Sequence, residues 1–249
     1  MLPFIGTVAG SVCVFFTRRN AGELLRRGIE GFSAGVMVAA SIWSLLIPSM
    51  ELSEGRGNNA AIPAASGFLL GIVFFLLCDR VISKSSEAMQ PEGMGSSFRD
   101  NVIPCFAVAV HNLPEGMAVG AIFAEILCGG SSVGLSAAMA LSIGIAVQNL
   151  PEGAIVSMPL YAAGMKKSSA FACGVLSGVV EPIGAVLTIL AAGIAVPLLP
   201  YLLGFAAGAM MYAVLEEFGG GNGERGRSLW VLSFAAGFVL MMSLDVLLG

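Results

Sequence analysis

The sequence predicts an all-α, polytopic membrane protein with eight transmembrane helices. Two observations predict this fold class. First, 57% of the 249 residues are hydrophobic and only 11% are charged, whereas a soluble domain carries about a quarter charged residues. Second, apolar runs of about twenty residues, the length that crosses a bilayer as an α-helix, recur along the chain. Most side chains are therefore expected to face lipid or one another.

The boundaries of the spans follow from the charged and Gly- or Pro-rich breaks between the apolar runs. The predicted spans are residues 2–17, 29–50, 62–82, 101–127, 132–162, 168–192, 197–217 and 228–248. Together they form a single transmembrane domain over residues 1–249. Only residues 83–100, which are rich in Ser, Glu, Pro and Gly, are predicted to form a long flexible loop.

The positively charged residues predict the orientation, because Lys and Arg accumulate in loops on the cytoplasmic side. With eight spans, all but one of the 12 Lys and Arg residues fall on one side of the membrane, and only Arg56 falls on the other. The cytoplasmic set is Arg18, Arg19, Arg26, Arg27, Arg80, Lys84, Arg99, Lys166, Lys167, Arg225 and Arg227. Both termini are therefore predicted to lie outside the cell, and the loop at 83–100 in the cytoplasm.

Charge, cysteine positions and small residues limit the possible partners and the packing of the chain. The net charge is −4 and there is no dense basic patch, so a nucleic-acid partner is not expected. The five cysteines are spread over different apolar segments, which is typical of small core residues and not of a disulfide framework or a thiolate metal site. Runs of small residues at 31–35 and 204–208 predict close packing between helices.

Three polar sites interrupt the predicted spans. Residues 111–116 in the fourth span read His-Asn-Leu-Pro-Glu-Gly, and residues 148–153 in the fifth read Gln-Asn-Leu-Pro-Glu-Gly. The sixth span contains Glu181 followed by Pro182. A charged side chain at the centre of a membrane helix costs about 2.5–3.5 kcal/mol on insertion scales. Each of these carboxylates therefore requires a partner or a function.

Helical geometry brings the polar side chains of each motif onto one face. The His or Gln lies four positions before the Glu and the Asn lies three positions before it, so all three point the same way. The Pro lacks an amide hydrogen and leaves a carbonyl oxygen of the preceding turn without its usual donor. Such backbone is tolerated in a membrane only where protein buries it or where it lines a wet cavity. The motifs therefore predict a polar cavity inside the bundle.

Several carboxylates that face one cavity repel each other unless a cation compensates them. Nitrogen from a His together with oxygen from Glu and amide side chains suits a transition metal such as zinc, whereas calcium and magnesium prefer oxygen ligands only. The alternative for each motif is a polar contact between packed helices, in which Asn and Gln hydrogen-bond across the interface. Two matching motifs and a third intramembrane Glu favour the metal site.

At these residues the chain resembles the ZIP family of metal transporters, in particular its compact bacterial branch. The resemblance rests on the two motifs, the Glu-Pro pair, the eight spans and Ala-Gly-Val-Met at residues 34–37. It implies a two-metal site in the middle of the membrane, in which Glu115 and Glu152 bridge the metals. One metal would be bound by Met37, His111, Glu115, Gln148 and Glu152, and the other by Asn112, Glu115, Gln148, Asn149, Glu152 and Glu181.

The resemblance further implies an elevator-like or rocking carrier in the cell membrane that moves divalent metals into the cytoplasm without ATP. Many relatives have His where this chain has Gln148, so cadmium, iron and manganese are expected beside zinc. The transported metal ions are the only expected cofactors, and no organic cofactor is expected. The expected partners are these ions and the lipid bilayer, with a homodimer as one form of assembly.

Two other function classes use similar residues. A selective divalent-cation channel could place the same carboxylates around an open pore. An intramembrane metalloenzyme would need a metal-activated water and a general base, usually in His-Glu-x-x-His, and the single His of this chain is followed by Asn. The sequence therefore predicts no enzyme. Roles at the site are not assigned to the remaining acids near span ends, Glu51, Glu54, Asp79, Glu125, Glu216, Glu217 and Asp245.

Overall fold

The computed structural model describes residues 1–18, 23–88, 96–129, 134–219 and 227–248, and these residues contain helices and no strand. The α-helices are α1 (Leu2–Ser11), α2 (Cys13–Phe16), α3 (Glu23–Ala40), α4 (Ile47–Glu51), α5 (Ala61–Ala88), α6 (Ser96–Leu127), α7 (Leu135–Ala162), α8 (Lys167–Gly178), α9 (Val180–Leu190), α10 (Ala192–Ala195), α11 (Leu199–Gly219) and α12 (Arg227–Leu248). A π-helix, Ser41–Leu46, joins α3 to α4, and a 3-10 helix, Glu54–Asn59, follows α4. The all-α class is confirmed.

Six segments of the described chain are long and apolar enough to cross a membrane. They are Leu24–Glu51, Ala61–Val81, Leu135–Ala162, Lys167–Leu190, Leu199–Glu216 and Arg227–Leu247. The apolar segment Leu2–Phe16, which holds the first predicted span, is shorter. The fourth predicted span falls on α6, where the side chains of residues 96–107 and of His111 lie outside the described set. The chain is therefore a multi-pass helical membrane protein.

Several predicted boundaries differ from those of the helices. The first predicted span is divided at Val12, and the sixth at Val179, between α8 and α9. Pro182 lacks the amide hydrogen that would bond the carbonyl of Gly178, which accounts for the end of α8 at that residue. Helix also covers both ends of the predicted loop at 83–100, since α5 runs to Ala88 and α6 begins at Ser96. Residues 89–95 of that loop lie outside the described residues.

The helices form two groups. The most extensive contacts pair α1 with α7, α6 with α9, α3 with α12 and α5 with α11. Further contacts connect α1, α2 and α6–α10, which we call the first bundle. The others, α3–α5, α11 and α12 together with the π-helix, form the second bundle. The two bundles meet chiefly where α6 packs against α11 and α7 against α3.

Glycines bring the paired helices into backbone contact. A Cβ atom on Gly10 of α1 would collide with the carbonyl oxygen of Leu150 on α7, and one on Gly35 of α3 would collide with that of Phe234 on α12. Small residues allow membrane helices to approach this closely. The prediction of close packing at the small-residue runs, 31–35 and 204–208, is confirmed, because glycines of both runs touch the backbone of a neighbouring helix.

The main hydrophobic core lies between the bundles and combines alanines with larger Val, Leu, Ile and Met side chains. Its buried members include Ala34, Met37, Ala118, Ile122, Leu141, Ile145, Ala206 and Met210. By contrast, side-chain hydrogen bonds join helices of the same bundle. In the first bundle Lys167 Nζ donates to the carbonyl of Phe15 at 2.7 Å, and in the second the Ser44 hydroxyl donates to Asp245.

Candidate metal site

The two near-identical motifs lie on α6 and α7, which are neighbours in the first bundle. Asn112 and Asn149 are fully buried, and Glu115 and Glu152 are each less than a tenth exposed. The Leu side chains point outward instead, since Leu113 is 36% and Leu150 48% exposed. Both motifs therefore turn their Asn and Glu side chains into the bundle, as the helical spacing predicted.

A hydrogen bond joins the two motifs. The side-chain amide of Gln148 donates through Nε2 to Glu115 Oε1 at 2.8 Å. The helical spacing had aligned Gln148 with Glu152 of its own helix, but this bond crosses to the carboxylate of the other motif. The remaining oxygens of the pair, Glu115 Oε2 and Gln148 Oε1, are buried and have no hydrogen-bond partner in the described part of the chain.

Glu181, near the start of α9, lies beside the first motif. Its Oε1 accepts hydrogen bonds from the Thr7 hydroxyl at 2.7 Å and from Asn112 Nδ2 at 3.4 Å. The same Asn112 nitrogen donates to the carbonyl of Ser177 at 3.2 Å. Glu181 Oε2 and Asn112 Oδ1 are buried and lack a hydrogen-bond partner among the described residues. These bonds connect α1, α6, α8 and α9 around one carboxylate.

The same pattern therefore occurs twice. One atom of each side chain is held by the protein, while a second, electron-rich oxygen of the same side chain is buried without a described partner. Leaving a buried polar atom without a hydrogen bond costs about 1–3 kcal/mol. Neighbouring carboxylates add mutual repulsion, because Glu115 lies within electrostatic reach of Glu152 and Glu181. A bound cation would relieve both costs, whereas a polar helix contact accounts only for the bonded atoms.

The structure places three other predicted ligands, Asn149, Met37 and His111, in different ways. The Asn149 side chain lies beside the carboxylates of Glu115 and Glu181. Met37 is buried in the core between the bundles, where its sulfur accepts the hydroxyl of Ser33 at 3.8 Å. His111 belongs to α6, but its side chain lies outside the described residues.

Carboxylates alone do not make a compact metal centre here. Within the described residues, no three side chains of the His, Cys, Asp and Glu types lie close enough together to hold a metal ion. The oxygens of Asn112, Asn149 and Gln148 would have to complete the coordination. The predicted ligand set includes all three amides.

Thr7 is a site neighbour that the sequence did not indicate as such. It is fully buried on α1 and hydrogen-bonds Glu181. Its position between Gly6 and Gly10 is a signal that could have marked it as part of a close helix contact, but not its bond to a carboxylate. Asp245, one of the acids left without a role, accepts the Ser44 hydroxyl in the second bundle.

The fold and this site define a multi-pass membrane protein with buried carboxylates and amides at its centre. The family model described as "ZIP Zinc transporter" matches residues 84–219, which contain both motifs and Glu181. The chain is 35% identical to human "Zinc transporter ZIP11", over 98% of this chain and 94% of the relative. It is 36% identical to "Zinc transporter GufA" of Myxococcus xanthus, over 88% of this chain and 85% of the relative. "Zinc transporter ZIPB" of Bordetella bronchiseptica is also 36% identical, over 99% of this chain and 79% of the relative.

The chain therefore belongs to the ZIP family. The resemblance stated from the motifs is confirmed, and with it a function in metal-ion transport across a membrane. The alternative of an intramembrane metalloenzyme is excluded, because the relatives are named as transporters.

Proposed function

We propose that this protein carries zinc into the cytoplasm through a site that binds two metal ions in the middle of the membrane. The observation that supports this most directly is the set of buried oxygens without described partners on α6, α7 and α9. The proposed ligands are Met37, His111, Asn112, Glu115, Gln148, Asn149, Glu152 and Glu181. Glu115 and Glu152 bridge the two ions, while Glu181 binds only the second.

The chemistry of these ligands favours zinc without making it the only cargo. One imidazole nitrogen, carboxylate and amide oxygens and a thioether suit borderline transition metals better than calcium or magnesium. Gln148 offers an amide oxygen where a second imidazole would bind zinc more strongly. Cadmium, iron and manganese therefore compete for the site. The names of the relatives, all given as zinc transporters, support zinc as the main cargo.

We propose eight spans, with α1–α2 and α6 completing the six long apolar segments. Both termini then lie outside the cell and the Lys- and Arg-rich loops in the cytoplasm, with the protein in the cell membrane. Single-cysteine labels at the termini and near Arg56 should react with an impermeant reagent from outside, whereas labels at Ser96 and Lys166 should not. External labelling at Ser96 and Lys166 would overturn this orientation.

For the transport step we propose that the first bundle moves against the second and carries the metal with it. All proposed ligands except Met37 belong to the first bundle. Backbone contacts at glycines support each bundle as a rigid unit, and the apolar side chains between the bundles offer a surface along which they can slide. The chain carries the whole ligand set, so a homodimer is compatible with this site but not required for it.

Zinc uptake into proteoliposomes that contain the purified protein tests this function. We expect saturable uptake that cadmium, iron and manganese inhibit and magnesium does not, and the matched control Glu115→Ala should show no uptake above background. Uptake no faster than in protein-free liposomes would overturn the proposal. Single-channel currents in the same membranes would show that the protein is a channel and not a carrier.

A further inference from the structure

Thr7 and Glu181 occupy matching places beside the two motifs. Gly116 ends the first motif, and a Cβ atom there would collide with the backbone of Glu181. Gly153 ends the second motif, and a Cβ atom there would collide with the backbone carbonyl of Thr7. Each motif thus packs its last residue against one polar residue of a partner helix. The two partner residues then bond each other through their side chains.

The side chain of Thr7 has two distinct contacts. Its hydroxyl donates to Glu181 Oε1 at 2.7 Å. The side chain also lies on Gly178, where an added Cβ atom would be 2.8 Å from both Cβ and Cγ2 of Thr7 and 3.0 Å from its Oγ1. The hydroxyl therefore hydrogen-bonds the carboxylate of Glu181, while the methyl group packs against α8.

The hydroxyl determines which oxygen of Glu181 remains available. Oε1 is occupied by Thr7 and Asn112, whereas Oε2 is buried without a partner among the described residues. Groups that hydrogen-bond a metal ligand fix its orientation, and their loss typically lowers metal affinity by about 10–100-fold. A carboxylate held through Oε1 presents Oε2 in one fixed direction.

We propose that Thr7 is a positioning residue, whose hydroxyl holds Glu181 so that Oε2 faces the second metal. This inference rests on the proposed function and assigns Thr7 no contact with the metal itself. Helix α1 carries none of the predicted ligands, but through Thr7 it would help to set the affinity of the site for metal.

Two variants separate the hydroxyl from the methyl group. Thr7→Val keeps the shape and the packing on Gly178 but removes the donor, whereas Thr7→Ser keeps the donor and removes the methyl group. We expect Thr7→Val to weaken the Kd for zinc of the purified full chain by about tenfold, and to raise the KM of uptake in parallel. Thr7→Ser should retain near-native Kd and KM. The reverse order would assign Thr7 a packing role and overturn the proposal.

Ser11→Ala is the matched control. Ser11 lies one turn further along the same face of α1, and its hydroxyl donates to the carbonyls of Thr7 at 2.8 Å and Gly153 at 3.4 Å. It is a buried hydroxyl in the same helix contact, but its bonds go to backbone only. We expect an unchanged Kd for zinc. A loss as large as that in Thr7→Val would mean that the seating of α1, and not the Thr7 hydroxyl, controls affinity.

A double-mutant cycle with Glu181→Ala tests whether Thr7 acts through Glu181. If it does, Thr7→Val should change the Kd about tenfold in the native background and not at all in Glu181→Ala. An equal change in both backgrounds would overturn the proposal. Glu115→Ala, measured in the same assay, separates the two proposals. If it abolishes zinc binding while Thr7→Val binds normally, only the role of Thr7 fails; if it binds zinc normally, the proposed site fails as well.

Discussion

The two motifs are nearly identical in sequence and bury the same positions, and they differ at their first residue. Both bury the Asn and the Glu, expose the Leu, and press the Gly against a partner helix. The first motif begins with His111 and the second with Gln148. Gln148 donates to Glu115 and retains a carbonyl oxygen. The repeat thus gives both motifs a common geometry, while the one difference, His111 against Gln148, changes the donor atoms that each motif offers.

Their partner helices differ as well. The first motif packs against α9, which supplies the carboxylate of Glu181, and the second packs against α1, which supplies the hydroxyl of Thr7. Glu181 is proposed to bind only the second metal, so we expect the two metals of the proposed site to be bound with different strength.

The largest expected effect tests what the motifs share. Glu115→Ala and Glu152→Ala each remove a bridging charge from both metals, so zinc uptake in proteoliposomes should fall close to background. Both proteins should still insert, because losing a buried charge eases insertion. Glu54→Ala, which changes an exposed acid, is the control and should transport normally. Normal uptake by Glu115→Ala at matched expression would mean that the motifs only pack helices together and do not bind the transported metal.

The shared glycines should affect stability. Gly116→Ala and Gly153→Ala place a methyl group against backbone that cannot move aside, and such overpacking typically costs about 1–3 kcal/mol. Thermal unfolding in detergent should show both variants destabilised. Gly193→Ala is the matched control, since an added Cβ there meets nothing within 4 Å. Native stability in Gly116→Ala would contradict the close contact of α6 with α9.

Glu181→Ala tests what the carboxylate of the first motif's partner helix, α9, contributes to transport. Glu181 is proposed to bind only the second metal, so uptake should remain measurable, with an altered KM and altered competition by cadmium. The same proteoliposome assay used for the bridging residues gives the comparison. A loss as complete as that in Glu115→Ala would assign Glu181 the same role as the bridging carboxylates.

The smallest effect should come from making the motifs alike. Gln148→His adds a nitrogen ligand that zinc prefers to an amide oxygen. We expect tighter zinc binding with equal or slower transport, measured by calorimetry and by uptake. Gln148→Leu keeps a comparable volume without a ligand atom and should bind zinc more weakly. Unchanged affinity in both variants would mean that residue 148 does not contact the metal.

The sequence predicted the features that depend on one helix at a time. Apolar runs predicted the all-α membrane fold, and the spacing within each motif predicted that its Asn and Glu side chains face inward. It did not predict the bond from Gln148 to Glu115, because spacing along a helix carries no information about the neighbouring helix. Thr7 was missed for the same reason. The π-helix at Ser41–Leu46 has no simple sequence pattern, whereas the break at Val179 could have been inferred from Pro182.

Crystals of the full chain grown with zinc, with anomalous diffraction recorded at the zinc absorption edge, test the central claim most directly. We expect two anomalous peaks between α6 and α7, both in contact with the carboxylates of Glu115 and Glu152 and one of them beside Glu181. Zinc peaks found only at the protein surface, in a preparation that transports zinc, would contradict the account.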